Sequence, residues 1–207
     1  MKKLLLSALC ISAFAISSAQ TEKSFGVKGG VNFTNLYTKD VDDNNMLISF
    51  NAGLVAILPI TDMIALQPEV IYSGKGAELK YDNAFATGNA KFRLSYIELP
   101  VLLRFNLTEN FSLQAGPYLS YLVNADIKSE SDNDIFNSQV ELDTNDFNKF
   151  DYGLAGGVEF DLNPIGIGAR YNYGLANIGK ERTIGGSTYT FPDAKNSTFS
   201  VYVVFKF

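Results

Sequence analysis

Residues 165–173, Ile-Gly-Ile-Gly-Ala-Arg-Tyr-Asn-Tyr, carry an apolar or aromatic side chain at every odd position and Gly, Arg or Asn at every even one. The end of the chain does the same: Phe199, Val201, Val203, Phe205 and Phe207 hold one phase, with Ser200, Tyr202 and Lys206 between them. A period of two is the mark of a strand with two unlike faces. Working backwards, the pattern recurs around Phe25–Phe33, Ile48–Leu58, Ile64–Tyr72, Ile97–Phe105, Phe111–Val123 and Phe150–Phe160. That makes eight strands, an even number. In the fourth, Phe92 and Leu94 are out of phase with Ile97 onward, which predicts a bulge near Ser95 or Tyr96. Pro68, Pro100 and Pro117 fall inside strand patterns, where a missing N–H is costly.

The connections alternate in length. Residues 59–62, 106–110 and 161–164 read as tight turns; 35–46, 74–91, 125–149 and 177–196 read as long polar loops. Short turns at one end and long loops at the other is the plan of an outer-membrane barrel, with both termini on the periplasmic side. A soluble barrel would turn its apolar face inward. Here that face carries bulky Phe, Tyr, Leu and Ile on every strand, too much for an eight-stranded interior. The opposite face is mostly small, with Gly26, Gly30, Gly53, Gly116, Gly153, Gly157, Gly166, Gly168 and Gly174. That suits a narrow lumen with lipid outside. Aromatic residues near strand ends (Phe33, Tyr72, Phe105, Phe111, Tyr121, Phe160, Tyr173, Phe205) fit interfacial girdles. The expected fold is all-β: one eight-stranded, antiparallel, up-and-down transmembrane β-barrel.

The first twenty residues read as an address. Met1-Lys2-Lys3 is cationic, Leu4 to Ala19 is an uncharged apolar and small-residue run, and Ser17-Ser18-Ala19-Gln20 offers a cleavage site after Ala19 or Gln20. The run is shorter than the ~20 residues that span a bilayer. Residues 1–20 are therefore expected to be a cleaved signal peptide and 21–207 the barrel domain, exported to a Gram-negative outer membrane.

Composition removes whole classes of function. The chain has 207 residues, no His, no Trp and a single Cys, Cys10, within the signal. No Ser-His or Cys-His pair, no His or Cys zinc site and no disulfide framework can form in residues 21–207. The net charge of −5 argues against nucleic acid. Inward positions carry Lys28, Arg104, Arg170 and Lys206 against Glu69, Glu98, Asp151 and Glu159. Near-balanced signs in a narrow lumen read as an internal salt-bridge network, with an ion-selective constriction as the alternative. Glu69 and Glu98 are a carboxylate pair by type, but hydrolysis needs a cleft beside them. No enzyme, cofactor or metal is expected. The loops carry Asp40, Asp42 and Asp43, then Asp132 and Asp134, then Asp143 and Asp146. Asp40-x-Asp42-x-Asn44 opens like a calcium loop, but Asn45 replaces its Gly and Asn51 its bidentate Glu, so a solvated surface is the reading.

Phe25-Gly26-Val27-Lys28-Gly29-Gly30-Val31-Asn32, Leu66-Gln67-Pro68-Glu69-Val70, Tyr96-Ile97-Glu98-Leu99-Pro100-Val101, Ala115-Gly116-Pro117-Tyr118 and Phe205-Lys206-Phe207 occur in this order along the whole mature chain. The set resembles the Bacteroidetes outer-membrane β-barrel domain family, a porin-family group of small barrels often called PorT-like. The resemblance implies that the three prolines are family features and that Phe207 is read by the outer-membrane assembly machinery. The family name covers secretion accessories as well as plain barrels. The function expected is a structural or interaction barrel acting through long extracellular loops on a ligand or secretion-system protein. The alternative is a small passive pore or a secretion accessory.

Overall fold

The computed structural model describes residues 23–38, 46–83, 86–131, 138–141, 144, 147–184, 187–191 and 194–207. Residues 1–20, read above as a signal peptide, and the acidic residues Asp40, Asp42, Asp43, Asp132, Asp134, Asp143 and Asp146 lie outside them. The strands are β1 (Ser24–Thr38), β2 (Leu47–Pro59), β3 (Ile64–Asn83), β4 (Ala86–Asn106), β5 (Phe111–Ser131), β6 (Ser138–Glu141), β7 (Phe150–Asp161), β8 (Ile165–Asn177), β9 (Lys180–Ile184), β10 (Ser187–Phe191) and β11 (Ala194–Lys206). Eight of them, β1 to β5 with β7, β8 and β11, form a closed antiparallel ring. The first strand closes on the last, from Gly26 opposite Lys206 to Thr38 opposite Ala194. Phe207 N–H donates to the Phe25 carbonyl at 2.8 Å, which stitches the C-terminus to the first strand.

Register sets the barrel's size. One rung runs Phe111–Phe160–Ile167–Val203–Gly29–Ala52–Tyr72–Ile97–Tyr121. A full circuit therefore returns to β5 ten residues further on. With eight strands, that stagger tilts the strands about 40° and gives a backbone radius of about 8 Å. The same ten residues span about 25 Å along the barrel axis, the height of an outer-membrane apolar band. Phe111 and Tyr121 mark its two edges. Near the short-turn end lie Phe105, Phe111, Phe160 and Phe205; towards the other end Phe50 stacks on Tyr72 at 5.6 Å and Tyr121 meets Phe150 edge-on at 5.3 Å. Outward Phe, Tyr, Leu, Ile and Val are exposed on every ring strand, while their neighbours in sequence are buried.

The phase switch in β4 is a shift in its pairing with β5 between Ser95 and Tyr96. The prolines also find their explanation. In an antiparallel strand, a residue aims its N–H and C=O at one neighbour only. The ladder is interrupted between β2 and β3 beside Pro68, between β3 and β4 beside Pro100, and between β4 and β5 beside Pro117. On the other side each proline keeps its partner: Val101, Tyr118 and Leu154 respectively. Each proline therefore weakens one seam, and three seams share the cost.

Of the segments read as long loops, 74–91 and 177–196 are largely strand where described, and 125–149 is strand in part. β3 and β4 pair as far as Asn83 opposite Ala86, well beyond Ser73, the last β3 partner of β2. β5 continues to Ser131 and pairs with β6. The β3–β4–β5–β6 side thus rises above the rest of the rim as a projecting sheet. Residues 177–196 contain the β9–β10 hairpin. Composition misleads here because Gly, Asn and Asp are common in these strands.

Inward glycines are required by close approach. A Cβ on Gly53 would lie 2.1 Å from the Val70 carbonyl oxygen, whereas one on outward Gly29 meets nothing within 4 Å. Gly53→Val is expected to lower the refolded fraction severalfold, and Gly29→Val to leave it at the wild-type level. The heat-modifiable gel shift of refolded protein reads both.

Candidate functional site

Alternation turns every second side chain of the ring into the lumen, so the inward charges meet in tiers set by register. At the short-turn end, Arg104 on β4 places Nη1 2.7 Å from Glu159 on β7 and its second arm on Asp161. Lys206 on β11 reaches the same two acids, Glu159 at 3.2 Å. Gln67 and Asn106 accept the remaining Arg104 donors at 3.2 and 3.0 Å.

The middle tier is built on Glu69 of β3. Arg170 on β8 grips it with both arms, 2.7 Å each, in the fork geometry that makes arginine–carboxylate pairs strong. Lys28 of β1 binds the same carboxylate at 3.2 Å, and Gln67 donates to it at 2.7 Å. Lys28 also lies 3.6 Å from the centroid of the Tyr202 ring, a desolvated cation–π contact. Gln114 links this tier to the one below: its carbonyl oxygen accepts from Arg170 at 2.6 Å and its amide donates to Glu159 at 3.0 Å.

In the upper tier Lys75 of β3 lies 2.7 Å from Glu98 and 3.1 Å from Asp151. Asn172 donates to Glu98 at 2.7 Å and Asn196 to Asp151 at 3.0 Å. The ring of Tyr118 faces the Lys75 ammonium at 4.4 Å. Above this tier the lining turns apolar. Leu36, Ala77, Leu94, Tyr96, Leu122, Ala125, Phe147, Ile178 and Ala194 form one buried cluster, and Phe92 packs on Phe147. A smaller cluster of Val55, Tyr202 and Val204 lies in the lumen's wall below.

Lys28, Glu69, Glu98, Arg104, Asp151, Glu159 and Arg170 are all buried in this lumen, and Lys206 sits partly exposed at its short-turn mouth. Phe207 lies outside it, 74% exposed at the barrel's lower edge. Two members escape the sequence reading. Lys75 falls in Gly74-Lys75-Gly76, which looks like a turn, although Gln67, Glu69, Ile71, Ser73 and Lys75 keep one inward phase. Asp161 is the last residue of β7, where strand and turn cannot be separated by pattern. The apolar cluster is missed for a related reason: its members lie beyond the strand ends that alternation marks. Glu69 and Glu98 each meet cations, Glu69 with Lys28 and Arg170 and Glu98 with Lys75. Among the described residues, no group of three or more His, Cys, Asp or Glu is arranged to hold a metal ion. Asn51 points into the lumen and hydrogen-bonds Asn32, away from any loop site.

No curated protein sequence matches the chain. Solved structures similar to it include Ail, the attachment invasion locus protein of Yersinia pestis, at 14% identity and a TM-score of 0.49, covering 90% of this chain and 100% of that one. Neisserial surface protein A is similar at 18% identity and a TM-score of 0.47, over 90% and 100% of the two chains. OprG of Pseudomonas aeruginosa is similar at 14% and 0.41, over 91% and 98%. The model of the outer membrane protein beta-barrel domain family matches residues 18–179. With that match over most of its length, on a closed eight-stranded ring with an apolar exterior, the chain belongs to the outer membrane protein β-barrel domain family and is a Gram-negative outer-membrane protein.

Proposed function

We propose that this protein is a non-conducting, non-enzymatic barrel that acts by presenting its projecting sheet and loops to partners outside the cell. The observation that carries the reading is the filling of the lumen. Five cations (Lys28, Lys75, Arg104, Arg170, Lys206) meet five carboxylates (Glu69, Glu98, Asp151, Glu159, Asp161), each within reach of at least one opposite charge. An apolar cluster closes the space above them. A conducting pore instead needs a continuous hydrated path with charge left to select ions. Long connections on a rigid scaffold are where such proteins carry function, and the β3–β4–β5–β6 side supplies an extended one here. In this reading residues 1–20 are removed on export and the assembly machinery recognises Phe207. The ordered motif set from Phe25 to Phe207 supports placing the chain in the Bacteroidetes PorT-like branch. A secretion-system protein is one candidate partner of the outer face.

Refolded protein, its fold established by heat modifiability, is expected to give no steady current in a planar bilayer. Ion-selective steps altered by Arg104→Ala or Glu98→Ala would make it a pore instead. The middle tier gives a second expectation, because one acid serves two cations there. Glu69→Leu strands both Arg170 and Lys28 and should cost about 3–5 kcal/mol, the loss typical of removing one partner of a buried pair. Lys28→Met leaves the bidentate Arg170–Glu69 pair whole and should cost less than about 1 kcal/mol. Urea unfolding of the two variants in lipid vesicles measures the asymmetry.

A further inference from the structure

The seam between β7 and β8 is interrupted with no proline beside it. β7 and β8 pair from Asp161 opposite Gly166 to Gly153 opposite Gly174, and then part. Among the described residues, the two segments meet again at Phe147 opposite Gly179. Five residues on the β7 side, 148–152, face four on the β8 side, 175–178, across the gap, and the pairing of β8 with β11 shifts at the same height, between Lys195 and Ser197. Both irregularities leave residues of β8 without a strand partner. The upper end of the gap is held by Asn148, whose side-chain amide donates to the carbonyls of Asn177 at 2.8 Å and Gly179 at 3.0 Å.

The result is a groove of about 730 Å³ in the barrel wall, within the roughly 300–1,000 Å³ that hold small ligands. Its lining is divided by chemistry. Phe150, Tyr152 and Leu175 form the lower part, each more than 40% exposed on the outer face. Asn148, Lys149 and Asn177 form the upper part. Lys195 stands opposite Asn177 in the next strand and adds a second cation beside the groove. The groove lies at the upper aromatic band, where Phe150 packs against Tyr121. An apolar floor at the level of the acyl chains and two lysines above it complement an amphiphile whose head is negative.

We propose that this groove binds one anionic, phosphate-bearing lipid of the outer leaflet. The phosphate is held by Lys149 and Lys195, and an acyl chain lies along Phe150, Tyr152 and Leu175. The proposal does not depend on whether the lumen conducts.

The chain has no Trp, so Tyr152→Trp places a single fluorophore in the groove. Phe50→Trp places one on the far wall, also near the loop end of its strand. Each variant is reconstituted in vesicles of phosphatidylcholine containing either brominated phosphatidylglycerol or brominated phosphatidylcholine, and quenching is compared. Brominated phosphatidylglycerol should compete about thirtyfold better than brominated phosphatidylcholine at position 152, from about 1 kcal/mol for each of the two lysines at a charged interface. No preference is expected at position 50. In the Lys149→Gln/Lys195→Gln background the preference at 152 should disappear. Equal quenching by both lipids at 152, the same preference at both positions, or a preference that survives loss of the lysines overturns the proposal. If the 152 variant does not refold, Leu175→Trp reads the same groove under the same criteria.

Discussion

In the hydrocarbon of a bilayer, a backbone N–H or C=O without a partner has no water to turn to. Pairing every strand on both sides removes the edges, and only closure does that. In this chain closure is the pairing of β1 with β11, which locks the first strand to the last. Once the ring has eight strands and a stagger of ten, its radius follows, at about 8 Å. The radius then dictates the inner face. Glycine stands where a cross-strand carbonyl comes within 2.1 Å of a Cβ, as at Gly53, and the few long side chains must interlock. The paired charges are thus a consequence of geometry before they are a feature of function.

Their arrangement also follows from cost. A buried charge left single is expensive, and a pair gives back that cost only with good geometry and satisfied neighbours. Gln67 and Gln114 supply much of that satisfaction. Each spans two tiers, donating to one carboxylate while accepting from an arginine. Tyr202 contributes in another way, lying under Lys28 and donating to Glu159 at 3.2 Å. A carboxylate that serves two cations, as Glu69 serves Arg170 and Lys28, is therefore the member on which its tier depends.

Alternation made the ring legible, because a strand between lipid and lumen must carry its two faces on alternate residues. The Phe92–Ile97 phase break located the bulge for the same reason: a bulge is a phase change and nothing else in the sequence need alter. Most lumen charges were legible too, since Lys28 or Glu98 inside an apolar alternation can only face inward. Legibility ended where one face stopped meeting lipid. Above Ser73 β3 has no further partner on β2, and beyond Asn124 β5 pairs with β6 in place of β7, and there Gly, Ser and Asn appear where bulky residues stood below. Lys75 was lost in that change. The parted seam at β7–β8 left no sequence mark, because it depends on two registers differing by one or two residues.

The stitch between Phe25 and Phe207 has a bearing on how the molecule comes into being. Seven of the eight seams join ring strands that are neighbours along the chain, and each of these could pair soon after synthesis. The eighth joins residues as far apart as Gly26 and Lys206, and it must wait for the final strand. Until then both β1 and β11 present raw edges, the kind of surface that recruits foreign strands. A chain of this topology has no stable half-built form, so it must cross the periplasm uncommitted and complete its wall in a single late event at the membrane.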